Sequence, residues 1–102
     1  MDAQSFKAVI ADQCVVVIDV RSAQEYAEGH LASSININVE SHHFTEQIAK
    51  LDKKEKYALY CRSGIRSTLA ADQMAEAGFQ VIFNLDQGGF TDLASLGVAI
   101  SR

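Results

Sequence analysis

The sequence predicts an α/β fold in three layers, with a mostly parallel, five-stranded sheet between two layers of helices. Short apolar segments alternate along the chain with segments of helical periodicity, an order that favours parallel strands joined by helical crossovers. Residues 14–20 form an almost unbroken β-branched run, which is typical of a strand buried on both faces. The 102 residues contain no repeat, linker or low-complexity stretch, so we expect one domain over residues 1–102.

Each predicted element has its own local signal. The five strands fall at residues 14–20, 34–39, 57–60, 81–85 and 98–100. Helical spacing is weak over residues 2–11 and clearer over residues 44–51 and 68–77. The helix predicted over residues 68–77 ends at a C-capping Gly78. Ser22 and Glu25 have the spacing of a capping box, which starts a short helix that stops at Gly29. A last short helix follows Gly88 and Gly89.

Composition argues against several functional classes. The formal net charge is −4 and there is no Lys/Arg cluster, so neither a nucleic acid nor a membrane surface is expected as a partner. The longest apolar run, residues 15–18, is far too short to cross a membrane, and the N-terminus lacks the features of a secretory signal. The two cysteines are too few for a disulfide framework and too distant for a Cys-x-x-Cys pair. We therefore expect a reduced, cytoplasmic protein.

Cys61 is the residue best placed for chemistry. It follows the predicted strand 57–60, and ligands in such sheets bind beyond the carboxyl ends of the strands. Gly64 allows the loop after Cys61 to curl so that backbone N–H groups point inward as an anion-binding nest. The following helix N-terminus, Arg62 and Arg66 add positive charge. Together they predict a reactive, anionic thiol that needs no neighbouring histidine.

Three motifs then resemble, in order and across nearly the whole chain, those of the single-domain rhodaneses. The loop 60–67, Tyr-Cys-Arg-Ser-Gly-Ile-Arg-Ser, resembles the active-site loop of that family. Residues 18–21 with Glu25-Tyr26 and Gly29-His30-Leu31 resemble its upstream signature, and Asn84-Leu85 with residues 88–90 its downstream one. The chain departs from the family pattern at Ser33-Ser34, at residues 36–38, and near Leu93, where many members have a tryptophan.

The resemblance implies sulfur transfer through a Cys61 persulfide, without cofactor or metal. A sulfane sulfur would come from thiosulfate or a protein persulfide and pass to a thiol, to cyanide or to a protein acceptor. Cys61 matches the nucleophile of the family, and the anion cradle maps onto the loop that follows it: Arg62, Ser63, Gly64, Ile65, Arg66 and Ser67. In this scheme Arg66 frames the loop and Arg62 lies at its rim, while Ser63 and Ser67 serve equally well as caps or donors.

Two other functions are also compatible with the sequence. The related cell-cycle phosphatases place five residues between the cysteine and the arginine, whereas four separate Cys61 from Arg66 here. The tighter loop suits a sulfur atom better than a tetrahedral oxyanion, which makes a phosphatase or arsenate reductase the weaker alternative. The other alternative is a binding or sulfur-relay module with little catalysis of its own.

The remaining polar and reactive residues are predicted to have structural roles. We expect Asp19 and Arg21 to brace the loop by hydrogen bonds, and Glu25 to act as a cap or an ion-pair partner. His30 is predicted to stabilise the turn after Gly29. Cys14 is predicted to begin a buried strand as a small hydrophobe. The adjacent pair His42-His43 is expected to be solvated.

Overall fold

The computed structural model describes residues 1–102 and contains five helices and six strands. The helices are α1 (Ala3–Ile10), α2 (Ala23–Glu28), α3 (Phe44–Ala49), α4 (Ile65–Glu76) and α5 (Phe90–Ser95). The strands are β1 (Val15–Asp19), β2 (His30–Leu31), β3 (Ser34–Asn36), β4 (Lys56–Tyr60), β5 (Val81–Asn84) and β6 (Ile100–Ser101). None of the helices combines the length and the apolarity that crossing a bilayer requires.

The central sheet is entirely parallel, with strand order β3-β1-β4-β5. This confirms the predicted α/β class, but the sheet has four strands rather than the predicted five. The apolar segment near residue 100 does not join it. There β6 pairs instead with β2 in a separate antiparallel ribbon, with Leu31 opposite Ile100, because backbone groups of residues 99–101 bond to those of residues 30–32 and not to an edge of the central sheet.

Alternation along the two central strands divides the core into two clusters. Val15 and Val17 point to the face covered by α1 and α5, while Ile18 points to the opposite face. The first face also holds Phe6 of α1 and Leu93 of α5, and the second holds side chains of α3 and α4. The buried members of the second cluster from those helices are Phe44, Ile48, Ala70 and Met74. The three-layer arrangement therefore follows from apolar positions on both faces of the sheet.

Local signals fix the two helices nearest the predicted site. Ser22 and Glu25 form the predicted capping box, with the Ser22 hydroxyl accepting from the N–H of Glu25. Helix α4 begins at Ile65, three residues earlier than predicted, because Gly64 adopts a φ of +90° that ends the loop there. This φ lies in the left-handed region that favours glycine.

The structure contradicts the predicted burial of Cys14. Its side chain is exposed just before β1, and its N–H is bonded to Oδ1 of Asp12 in a turn. The turn ends one residue later than the apolar pattern indicated, so that Val15 becomes the first buried residue of β1. Cys14 lies at the amino end of β1 and Cys61 beyond the carboxyl end of the neighbouring β4. They are separated by about five strand residues, or roughly 16 Å, which is too far for a disulfide within one chain.

Candidate active site

The loop that carries Cys61 connects β4 to α4 at the carboxyl edge of the sheet. Strands β1 and β4 are neighbours in register, so Asp19 and Tyr60 end them side by side. The chain then turns through Cys61 and the next three residues before α4 begins. The position of the thiol therefore follows from strand order, as the sequence predicted for a parallel sheet.

Two backbone donors point at the sulfur of Cys61. The N–H of Gly64 lies 3.1 Å from Sγ and the N–H of Ser67 lies 3.4 Å from it. Both belong to the turn at the start of α4, where backbone N–H groups have no partner within the helix. The Cys61 residue is 0% exposed, so these donors act on the sulfur without competition from bulk water. The loop therefore forms a small anion-binding nest around a single sulfur atom.

The environment favours the thiolate form of Cys61. Burial acts to raise its pKa, but hydrogen bonds outweigh burial and the pKa lies below the ordinary value of 9.0. The donors are the Ser67 hydroxyl and the N–H groups of Ser67, Ser63 and Gly64. That hydroxyl also lies 3.2 Å from the carbonyl oxygens of Gly64 and Leu85, so its single proton has three acceptors. A negative sulfur is the strongest of the three acceptors.

The lowered pKa gives the first testable prediction. In a Cys14→Ser background, the rate of Cys61 alkylation should rise with pH to a midpoint below 9.0. Ser67→Ala should move that midpoint upward, because alanine keeps the backbone N–H and removes the hydroxyl donor. The measurement is the rate of iodoacetamide adduct formation by mass spectrometry between pH 5 and 10. A midpoint that Ser67→Ala leaves unmoved would show that the hydroxyl does not stabilise the thiolate.

The two arginines of the loop have different surroundings. The guanidinium of Arg66 forms a two-pronged ion pair with Glu25, with Nη1–Oε1 at 2.6 Å and Nη2–Oε2 at 3.0 Å. A second carboxylate, that of Glu40, lies 3.8 Å from Nη1. Arg62 is exposed and forms no ion pair. Arg66, which was predicted to frame the loop, is thus bound to Glu25 of α2. Arg62 carries the positive charge of the loop that has no carboxylate partner.

The second prediction concerns the contribution of the Glu25–Arg66 ion pair to the free energy of unfolding and its dependence on pH. The hydrogen bond from Arg66 is the main reason that the pKa of Glu25 falls from 4.5 to about 2. A lowered carboxylate pKa stabilises the fold fully above pH 4.5, and the effect disappears as the pH falls towards 2. At pH 7, Glu25→Gln should lower the free energy of unfolding by about 1–2 kcal/mol, allowing for solvent screening. Urea unfolding at several pH values should show this difference vanishing in acid.

The segment after β5 packs directly against the Cys61 loop. The N–H of Phe90 donates to the carbonyl oxygen of Cys61 at 2.9 Å. A Cβ on Gly89 would lie 1.8 Å from the carbonyl oxygen of Arg62, and one on Gly64 would lie 2.3 Å from that of Asp86. These backbone approaches leave space only for glycine at both positions. The glycine at position 89 is therefore required by its close contact with the backbone of the Cys61 loop.

A buried polar network lies behind the loop. Asp19 and Arg21 form an ion pair with Nη2–Oδ2 at 2.7 Å, and the hydroxyl of Tyr60 donates to the same Oδ2 at 2.7 Å. Arg21 also donates to the carbonyl of Gly29 at 2.6 Å, and its guanidinium lies 4.4 Å from the ring centroid of Phe90. The ion pair makes no direct hydrogen bond to the loop. It acts through Tyr60, the residue before Cys61.

The chain matches the model of the rhodanese-like domain over residues 2–95. This chain belongs to the rhodanese-like family. It is 37% identical over 90 residues to a tRNA uridine(34) hydroxylase of Acaryochloris marina, which covers 84% of this chain and 29% of that protein. The chain therefore spans less than a third of that relative. It is 35% identical over 78 residues to "Putative sulfurtransferase YtwF" of Bacillus subtilis, covering 76% of this chain and 73% of that one.

Solved structures share the fold. A rhodanese-like domain from Anabaena superimposes with a TM-score of 0.86 at 20% identity, covering 99% of this chain and 76% of that one. A rhodanese-related protein of Thermoplasma volcanium gives a TM-score of 0.79 at 27% identity, covering 99% and 95% of the two chains. The expected rhodanese-like α/β fold is thus confirmed.

Two features of this rhodanese site have no clear signal in the sequence. Tyr60 joins Asp19 to Ser34, whose hydroxyl lies 3.3 Å from that of Tyr60, and only the position of Tyr60 before Cys61 hinted at this. Beside the loop, Ile65 and Leu69 are 76% and 48% exposed on α4. Their spacing of four residues predicts that these side chains lie next to each other on one helix face, but it does not predict that they are exposed.

Neither of the two surface cavities is lined by residues of the Cys61 loop.

Proposed function

We propose that this rhodanese-like chain is a sulfurtransferase that carries a sulfane sulfur as a persulfide on Cys61. The observation that supports this most is the pair of N–H groups aimed at Sγ from 3.1 and 3.4 Å. They stabilise a negative sulfur before the reaction, and the same groups can stabilise the terminal negative sulfur of a persulfide after a small displacement. The loop also supports the proposal by its length, because the four residues between Cys61 and Arg66 make a tighter loop than the five of the related phosphatases, one that suits a sulfur atom better than a tetrahedral oxyanion.

The proposed reaction has two displacement steps. With thiosulfate as donor, the Cys61 thiolate attacks the outer sulfur, the S–S bond of thiosulfate breaks, and sulfite leaves with the bonding electron pair. The product is an anionic persulfide on Cys61. In the second step a nucleophile such as cyanide or a thiolate attacks the terminal sulfur, and the Cys61 thiolate leaves. Total charge is unchanged in each step, and no external oxidant or base is needed when Cys61 starts as thiolate.

The test is sulfur transfer from thiosulfate to cyanide, measured as thiocyanate formed. Wild-type protein and Cys14→Ser should both turn over, because the Cys14 thiol is exposed at the opposite end of the sheet. Cys61→Ser should lower the rate of thiocyanate formation by at least about 1,000-fold, because the covalent intermediate cannot form without the thiol. Turnover that survives in Cys61→Ser would overturn the proposal. Hydrolysis of an aryl phosphate that depends on Cys61 would favour phosphatase chemistry instead.

A second candidate is a sulfur relay that receives its sulfur from another protein. The exposed apolar side chains of Ile65 and Leu69 beside the loop favour this candidate, since a protein donor needs contact surface near Cys61. Persulfide uptake from a cysteine desulfurase, together with negligible turnover of thiosulfate, would support the relay over the enzyme. Hydroxylation of tRNA is not proposed, because the relatives named for it share only 27–31% of their length with this chain.

A further inference from the structure

The charge around Arg66 is unusual for a site that would bind a small anion. Both terminal nitrogens of the guanidinium are bonded to the carboxylate of Glu25, and the carboxylate of Glu40 is 3.8 Å away. One positive charge therefore faces two negative charges. Glu25 is also held in place by Ser22, whose N–H and hydroxyl donate to Oε1 at 3.2 and 3.0 Å. The ion pair is thus part of the packed start of α2.

This arrangement lies beside Cys61, because Arg66 directly precedes Ser67 in the first turn of α4 and the N–H of Ser67 is 3.4 Å from the Cys61 sulfur. An incoming anionic donor must approach the same sulfur. It meets an Arg66 that is already neutralised, with only Arg62 free at the rim. Each added negative charge on a donor increases the repulsion from the carboxylates in proportion.

We propose that Glu25 is a specificity-determining residue that disfavours dianionic sulfur donors, thiosulfate among them, relative to donors of lower charge. The inference rests on the proposed function for its biological meaning, although the electrostatic effect can be measured without sulfur transfer. Glu25 then has a second role besides capping α2, because its negative charge, and not its hydrogen bonds, selects among sulfur donors. Donors favoured by this arrangement are persulfides that present one negative charge or none at the reacting sulfur.

Glu25→Gln separates the two roles of this residue. Glutamine is equally able to complete a capping box, so the start of α2 is kept while the charge is removed. Glu40→Gln is the matched control, because it removes one carboxylate charge from the same guanidinium at longer range and from an exposed position. Both variants leave every loop residue unchanged. Circular dichroism and the unfolding midpoint establish that each variant is folded under the assay conditions.

The first measurement needs no sulfurtransferase activity. In a Cys14→Ser background, Cys61 is alkylated with iodoacetate, a monoanion, and with neutral iodoacetamide, and the ratio of the two rates is taken. Because both reagents attack the same sulfur, the ratio cancels changes in its pKa and accessibility. Glu25→Gln should raise the ratio about fivefold, which corresponds to about 1 kcal/mol, and Glu40→Gln should raise it less. An unchanged ratio in Glu25→Gln would overturn the proposal.

The second measurement uses donors that differ in charge. Thiosulfate carries two negative charges and methanethiosulfonate carries one. Glu25→Gln should lower the KM for thiosulfate about 25-fold and that for methanethiosulfonate about fivefold, with kcat changed much less. Equal changes for both donors, or a change confined to kcat, would contradict a charge effect. If the alkylation ratio rises while no variant accepts sulfur from either donor, the charge effect stands and the proposed sulfurtransferase function fails.

Discussion

Gly89→Ala should destabilise the protein by about 3 kcal/mol or more and largely abolish sulfur transfer. The added methyl group would lie 1.8 Å from the carbonyl oxygen of Arg62 and 2.9 Å from that of Cys61. Both contacts are with backbone, which cannot move aside as a flexible side chain can. Relief of the clash must separate the segment at Gly89 from the loop and break the hydrogen bond from Phe90 to Cys61. Loss of activity should therefore accompany loss of stability.

Gly88→Ala is the matched control for this substitution. A methyl group there would lie 3.0 Å from Oδ2 of Asp92, an exposed side chain whose Oδ2 accepts from the N–H of Gly89 at 2.9 Å. A small shift of this side chain weakens one capping hydrogen bond and displaces no backbone, so we expect a cost of about 1 kcal/mol and nearly normal turnover. Urea unfolding and thiocyanate formation measure the two effects. Similar behaviour of the two alanine variants would contradict close packing between Gly89 and the loop.

Arg21→Met should cost about 3–5 kcal/mol, because it leaves the buried carboxylate of Asp19 without its cation. Asp19 is 0% exposed, and Arg21 supplies three of its side-chain hydrogen bonds. Only the Tyr60 hydroxyl and the backbone N–H of Arg21 would remain as donors to this carboxylate. The free energy of unfolding, obtained from urea titration, measures the loss.

Two further variants test whether an unpaired charge causes that loss. Adding Asp19→Asn to Arg21→Met removes the orphaned charge and should recover part of the stability. Arg102→Met, at an exposed position, should change the free energy of unfolding by less than about 0.5 kcal/mol. If Arg21→Met is as mild as Arg102→Met, the network behind Cys61 is not what stabilises this edge of the sheet.

The parallel core was predictable because its signals are local. The apolar run before Asp19 and the strand before Cys61 appear in the structure within one or two residues of their predicted bounds. Capping by Ser22 and Glu25 was likewise readable, since both partners lie within one turn. The pairing of β6 with β2 was not, because residues about 70 apart in sequence form it without a local pattern.

The same distinction applies to the site. The position of Cys61 and its backbone donors follow from a strand end, a glycine and a helix start. The partner of Arg66 lies 41 residues away, and Glu25 has both of its predicted roles, as a cap and as an ion-pair partner. The close approach of Gly89 to Arg62 also depends on the tertiary fold. Local sequence signals therefore predict the position of Cys61, whereas the charges around it depend on residues that only the tertiary fold brings together.

Intact mass spectrometry of the Cys14→Ser protein after incubation with a sulfur donor tests the central proposal most directly. The donors are thiosulfate and, separately, a cysteine desulfurase with cysteine. We predict the gain of one sulfur atom on Cys61, its loss on treatment with dithiothreitol, and no gain when Cys61 is also replaced by serine. Absence of the adduct with both donors, from protein shown to be folded and to have a free Cys61 thiol, would contradict a persulfide carrier.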